Sequence, residues 1–96
     1  MRPSSALATY RDHILKTARH YGLENPRVFG SSARGSDNDK SDLDILVIAP
    51  TGTTLFDLGG FLEELQAIIP VPIHVTTEGS LPPILRQNIL SEAKPV

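Results

Sequence analysis

Two aspartates, Asp42 and Asp44, stand two residues apart at the start of the apolar segment 43–49. Alternate side chains of a β-strand project from the same face, so a strand here places both carboxylates on one side of a sheet. Neighbouring carboxylates repel each other unless a cation joins them, and Mg²⁺ is held by one or two carboxylates together with substrate phosphates and water. The spacing indicates metal-assisted phosphoryl chemistry, although an aspartate pair alone is also common in loops.

A second group of residues, upstream of the aspartates, could hold a phosphate. Gly30 follows a short apolar segment and has no side chain to block the approach of an anion to the backbone. Ser31 is predicted to cap a helical turn that begins at Ser32, and the first N–H groups of that turn would face the anion. Arg34 adds a permanent positive charge, and Lys40 could add another. A phosphate cradle and a metal pair are therefore expected to face each other.

Two other motifs for cations and phosphates do not fit. The oxygen-rich segment 37–41 resembles the start of a calcium loop, but the sixth position is Asp42 instead of Gly and the twelfth is Ile48 instead of Glu. A P-loop is excluded because no Gly-Lys-Ser or Gly-Lys-Thr follows a glycine-rich turn. The phosphoryl chemistry must therefore depend on the two groups described above.

Three helices are predicted, two from apolar residues that recur every three or four positions and the last from a serine cap, Ser80, followed by an early-turn proline, Pro82. The first ends at Gly22, and the last continues to Ala93. Their predicted caps are Ser4 or Ser5, a capping box of Thr54 and Asp57, and Ser80. The apolar stripes consist of Leu7, Tyr10, Ile14, Ala18 and Tyr21 in the first helix and Leu55, Leu58, Leu62, Leu65 and Ile68 in the second.

Three strands are predicted, over residues 27–29, 43–49 and 71–76. The second is almost continuously apolar, which is typical of a central strand. On the third, Pro72, His74 and Thr76 share one face. The order of elements is helix, strand, turn, strand, helix, strand, helix, and it predicts an α/β (α+β) fold.

Composition limits the possible classes of protein. At 96 residues, with 40 % hydrophobic and 21 % charged residues, the chain is expected to form one domain over residues 1–96. Without cysteine there is neither a disulfide nor thiolate chemistry. A net charge of −2 argues against direct nucleic-acid binding through a broad basic surface. No apolar stretch could span a membrane and the N-terminus does not resemble a secretory signal, so a cytoplasmic location is expected.

The segment GSSARGSDNDKSDLDILV resembles the signature of the DNA polymerase β-type nucleotidyltransferases, with ten residues between Gly30-Ser31 and Asp42-x-Asp44. Its Ala-Arg-Gly and the small size of the chain are similar to the minimal nucleotidyltransferase branch. The resemblance implies a small mixed sheet flanked by helices, ATP as substrate, two Mg²⁺ ions and transfer of a nucleotidyl group to a hydroxyl. It also implies that the Gly30-Ser31 turn holds the triphosphate, and that Asp42 and Asp44 bind both metals.

In these nucleotidyltransferases a third carboxylate on a later strand helps to bind one metal and activates the attacking hydroxyl. The matching position here is His74, and a neutral imidazole is a poor ligand for Mg²⁺. Glu78 is the nearest downstream acid, but four residues of extended chain separate it from this position by about 13 Å. His74 is therefore either a general base or a residue without a catalytic task.

Minimal nucleotidyltransferases of this kind are commonly encoded with a HEPN-type toxin, and family members silence that partner by transferring AMP to its tyrosine. The resemblance therefore implies a protein adenylyltransferase that acts as an antitoxin. The alternative is a catalytically weakened domain that neutralises its partner by binding alone. A small-molecule nucleotidyltransferase that builds its acceptor pocket by dimerisation ranks last, because nothing in the sequence supplies such a pocket.

Overall fold

The computed structural model describes all residues from 1 to 96. The predicted order of helices and strands is confirmed, and a short fourth strand follows the last helix. The elements are α1 (Pro3–His20), β1 (Glu24–Phe29), α2 (Ser31–Arg34), β2 (Leu43–Ile48), α3 (Leu55–Ile68), β3 (Ile73–Thr77), a 3₁₀ turn (Glu78–Ser80), α4 (Pro83–Glu92) and β4 (Lys94–Pro95). None of the helices combines the length and the hydrophobicity that a membrane span requires.

The four strands form one mixed sheet in the order β3-β2-β1-β4. β2 lies between a parallel neighbour, β3, and an antiparallel one, β1. Parallel strands need a long crossover, and α3 supplies it between β2 and β3. The mixed sheet and the inner position of the apolar strand β2 agree with the predictions.

The hydrophobic core lies on the side of the sheet that α1 and α3 cover. The odd-numbered residues of β2 point into this core and are fully buried, namely Leu43, Ile45 and Val47. Side chains alternate along a strand, so Asp42 and Asp44 project from the opposite face. The 3₁₀ turn lies against β2. Burial of β2 in the core therefore fixes the direction of both carboxylates.

The start of α1 differs from the prediction. The N-cap is Arg2, and Pro3 is the first helical residue, where its missing N–H costs nothing. The side chain of Asp37, remote in sequence, accepts a hydrogen bond from the backbone N–H of Ser4 at 2.8 Å and one from the Arg2 guanidinium at 3.3 Å. A tertiary carboxylate therefore does what Ser4 or Ser5 was expected to do.

Of the caps predicted for the two later helices, the one for α3 is confirmed and the one for α4 is wrong. Thr54 and Asp57 form the expected capping box, in which each side chain accepts the other residue's backbone N–H, at 3.2 and 2.9 Å. Ser80 does not cap α4, because it ends the 3₁₀ turn, and the N-cap of α4 is Pro82. Proline at this position presets an extended backbone without a capping side chain.

The apolar face of α3 is narrower than its periodicity predicts. Phe61 and Leu65, one turn apart, are fully buried and form the contact with the core. Leu55 is 85 % exposed and Ile68 53 % exposed, and they are the first and last residues of the helix.

β4 was missed by sequence reasoning, because a strand of two residues shows no periodicity. It pairs antiparallel with β1, opposite Arg27 and Val28. The backbone N–H of Val96 also donates to the carbonyl oxygen of Pro26 at 3.1 Å. These bonds hold the end of α4 beside the turn that follows β1.

Candidate active site

The turn after β1 lies directly against the carboxylate of Asp44. Phe29, the last residue of β1, pairs with Asp44 across the sheet. Gly30 then adopts φ 73° and ψ −152°, and a Cβ atom at this position would lie 2.5 Å from Oδ2 of Asp44. Only glycine accepts both that backbone conformation and that approach. The two parts of the predicted site therefore meet at Gly30.

His74 lies on β3, opposite Asp44 in the parallel register, and its side chain is exposed. Its Nε2 atom is 2.9 Å from Oδ2 of Asp42. The strand pairing thus brings His74 to the aspartate pair. In a neutral imidazole that donates from Nε2, the Nδ1 atom keeps a free lone pair and can accept a proton.

The surroundings of Asp44 disfavour the negative charge of its carboxylate. Burial raises the pKa of its carboxyl group above the usual range, and the negative charge of Asp42 adds to the rise, whereas His74 and Arg34 oppose it. A positive charge placed between the two carboxylates would relieve this repulsion.

The carboxylate pair fits a magnesium ion that also binds phosphate oxygens. No cluster of three or more His, Asp or Glu side chains is arranged to hold a metal ion. Mg²⁺ commonly uses one or two carboxylates and completes its octahedron with phosphate and water oxygens. The residues present therefore fit an ion that arrives with a nucleotide better than an ion held by protein ligands alone.

The short helix at the turn differs from the prediction in its cap. Gly30 is the N-cap of α2, and Ser31 is its first helical residue, so Ser31 does not cap the helix as predicted. The Oγ atom of Ser32 lies 3.5 Å from the carbonyl oxygen of Phe29. With only four residues, α2 has too few aligned peptide dipoles for a large charge at its start. Electrostatic attraction at the turn must come mainly from Arg34.

A carboxylate from α4 already occupies the turn. Oε1 of Glu92 accepts the backbone N–H of Gly30 at 2.9 Å. Nη1 of Arg34 lies 3.2 Å from Oε1 and 3.0 Å from Oε2 of the same carboxylate. The hydrogen bond from Gly30, followed by the Arg34 charge, lowers the pKa of Glu92. Arg34 is thus ion-paired, and sequence reasoning missed Glu92 because 62 residues separate it from Gly30.

Two further charged residues considered in the sequence make no contact with the aspartate pair. Lys40 is exposed, and its side chain makes neither an ion pair nor a hydrogen bond, so its part in nucleotide binding stays a prediction. Glu78 forms ion pairs with Arg27 and with Arg86. Its carboxylate is therefore engaged by two arginines.

The site is a surface of the sheet and not the largest cavity. That cavity, of about 480 Å³, lies between α3 and β3 and is lined by residues such as Leu58, Leu62 and Val75. Asp42, Asp44 and the Gly30 turn do not contribute to it.

The model of the nucleotidyltransferase domain family matches residues 13–96, a range that includes every residue of the candidate site. The chain belongs to this family. The resemblance seen in the spacing of the Gly-Ser pair and the two aspartates is thereby confirmed. A protein of Methanocaldococcus jannaschii, whose name proposes that it is a protein adenylyltransferase, is 37 % identical over 80 residues, which are 83 % of this chain and 86 % of that protein.

Solved structures show the same fold as this nucleotidyltransferase domain. One, described as a proposed minimal nucleotidyltransferase, has a TM-score of 0.86 and 35 % identity, and the match covers 97 % of this chain and 95 % of that one. Another is a chain of a toxin–antitoxin crystal structure with AMP-PNP, with a TM-score of 0.74 and 22 % identity over 88 % of this chain and 69 % of that one. The second likeness shows the fold alone.

Proposed function

We propose that this nucleotidyltransferase domain transfers AMP from ATP to a tyrosine hydroxyl of a HEPN-type toxin and so acts as an antitoxin. The observation that carries the proposal is the contact between the Gly30 turn and Asp44, with Asp42 on the same face of the sheet. The protein adenylyltransferase name of the M. jannaschii relative supports AMP transfer to a protein. The fold shared with a toxin–antitoxin chain agrees with a toxin as the acceptor.

In the proposed reaction, the acceptor hydroxyl oxygen bonds to the α-phosphorus of ATP. The bond from this phosphorus to the oxygen that bridges to the β-phosphate breaks, and pyrophosphate leaves. Asp42 and Asp44 would hold Mg²⁺, which when bound neutralises charge on the phosphate oxygens. The Gly30-Ser31 turn and Arg34 would orient the triphosphate, with Ser32 beside them.

His74 would receive the proton that the hydroxyl loses. Its bond to Asp42 fixes the ring and leaves one nitrogen free. General-base assistance contributes about 10²- to 10⁴-fold in rate, so a His74→Ala protein should retain weak transfer. Its ATP affinity should change little.

The test is transfer of labelled AMP from ATP, with Mg²⁺, to a HEPN-type toxin encoded beside this protein. Asp44→Asn should abolish labelling, because one carboxylate of the pair loses its charge. Asp39→Asn is the matched control, since Asp39 lies in the loop that precedes β2 with its side chain 81 % exposed, and labelling should persist. Equal labelling by the parent and Asp44→Asn proteins would overturn the proposal.

A second candidate function is neutralisation of the toxin by binding alone. It is favoured by the imidazole of His74, which stands bonded to Asp42 at the position where a third carboxylate is expected. In this case Asp42→Asn and Asp44→Asn would leave inhibition of the toxin intact. Labelling that appears only with His74→Asp would also support the binding function over the catalytic one.

A further inference from the structure

The turn at Gly30 is already occupied by a negatively charged side chain of the protein itself, Glu92. The Glu92 carboxylate accepts the Gly30 N–H and contacts the Arg34 guanidinium with both oxygens. We propose that Glu92 is an internal competitor for the triphosphate, and that ATP must displace its side chain in order to bind. This inference rests on the proposed nucleotide site, and it adds a residue that sets the affinity of that site.

A carboxylate and a phosphate can accept hydrogen bonds from the same donors. Each presents paired oxygens that accept charge-assisted hydrogen bonds from a guanidinium and a backbone N–H. Gly30 has only one N–H, and Arg34 is the only cation within reach of the Glu92 carboxylate. The Gly30 N–H and the Nη1 donors of Arg34 that hold Glu92 are therefore not free to hold a phosphate at the same time.

The contact is suited to exchange because it is partly open to water. The side chain of Arg34 is 55 % exposed and that of Glu92 is 27 % exposed. Ion pairs in such settings contribute little net stability, since water competes with both partners. A triphosphate carries more negative charge than one carboxylate and can replace it.

The helix that carries Glu92 is loosely packed. No residue of α4 is buried. The neighbouring segments hold it instead, because Leu81 is buried before the helix and β4 pairs with β1 after it. Release of Glu92 therefore exposes no apolar core and can proceed without unfolding the sheet.

Displacement of Glu92 also changes the charge around the aspartates. Glu92 is hydrogen-bonded to the N–H of Gly30, and a Cβ atom at Gly30 would lie 2.5 Å from Oδ2 of Asp44, so the Glu92 carboxylate lies near the aspartate pair. When Glu92 leaves the turn, one negative charge moves away from the carboxylates. Binding of ATP with its cation and release of Glu92 should therefore favour each other.

The test measures ATP affinity by calorimetry, with Mg²⁺ present, for the parent, Glu92→Gln and Glu92→Asp proteins. Aspartate keeps the charge but is one methylene too short to maintain the contact. We expect both variants to bind ATP about three- to tenfold more tightly than the parent. Glu63→Gln, which alters an exposed acid on α3 with no ion pair, is the matched control and should bind ATP like the parent.

Hydrogen exchange on the parent protein provides a second measurement that needs no variant. ATP should increase exchange of the amides in residues 86–92, because the end of α4 loses its contact with the turn.

Unchanged or weaker ATP binding by both variants would overturn the inference, as would slower exchange in residues 86–92. Tighter binding by Glu92→Gln alone would also overturn it, since that result indicates repulsion by charge without competition for the donors. If no protein of the series binds ATP, the proposed nucleotide site fails, and the competition with it.

Discussion

Gly30 determines both the backbone conformation of the turn and the position that the Asp44 carboxylate can occupy. Its positive φ requires glycine, and so does the carboxylate of Asp44, which would lie 2.5 Å from any Cβ atom at this position. Gly30→Ala should cost about 1–3 kcal/mol in the free energy of unfolding, from backbone strain together with the clash. It should also reduce AMP transfer, because Asp44 must move away.

The control is Gly35→Ala. Gly35 also has a positive φ, of 76°, but a Cβ atom there would meet nothing within 4 Å. Gly35→Ala should lower the free energy of unfolding by about 1 kcal/mol, from backbone conformation alone, and AMP transfer should persist. Urea denaturation of both variants measures the difference. Equal losses of stability and of activity would contradict the role given to the contact with Asp44.

How well each site residue could be predicted depends on its separation in sequence from its partners. Gly30, Asp42 and Asp44 are close in sequence, and strand alternation converts their spacing into a shared face. Glu92 reaches the same turn from the other end of the chain, where β4 pairs with β1. No local pattern indicates such a contact.

Among the elements, α1 depends on a carboxylate from outside the helix. The Asp37 side chain is fully buried, and its pKa is lowered, first by the hydrogen bond from the Ser4 N–H and further by the Arg2 charge. Asp37→Ala should cost about 1–3 kcal/mol, because a helix-terminal N–H and a guanidinium lose their acceptor. Asp39→Ala, at an exposed position of the same loop, should cost little.

The dependence on pH has a definite sign. A carboxyl group whose pKa is lower in the folded state stabilises the fold above its unfolded value of about 3.9, and the contribution is lost as pH falls through the folded value. The difference in unfolding free energy between the parent and Asp37→Ala should therefore be constant from about pH 5 to 7 and shrink below about pH 4. Denaturant curves across this range test the sign, and a difference that grows in acid would contradict it.

Across the whole molecule, the inner strand β2 and the last helix differ in packing. β2 contributes fully buried side chains, whereas no residue of α4 is buried. Amides of residues 43–48 should therefore exchange with solvent at least about tenfold more slowly than those of residues 86–92 in the protein without nucleotide. Comparable protection of both segments would show that α4 is packed more firmly than its exposure indicates.

The difference between buried and exposed elements also explains which parts of the fold could be predicted from sequence. The core face depends on periodicity, and so α1, α3, the inner strand β2 and the mixed α/β character were predicted correctly, whereas α4 was predicted from its early proline. The exposure of the ends of α3 was not predicted, since Leu55 and Ile68 continue the apolar stripe but are not buried. β4 is a consequence of the surrounding structure and has no sequence pattern of its own.

If the Gly30 turn and the aspartate pair transfer a nucleotidyl group, the α-phosphate of ATP must reach the acceptor. The toxin is incubated with this protein and Mg²⁺ in two parallel reactions, one with ATP labelled at the α-phosphate and one with ATP labelled at the γ-phosphate. We expect the toxin to acquire the α-label and not the γ-label. Acquisition of the γ-label would contradict nucleotidyl transfer in favour of phosphoryl transfer, and acquisition of neither label would contradict catalysis on that toxin.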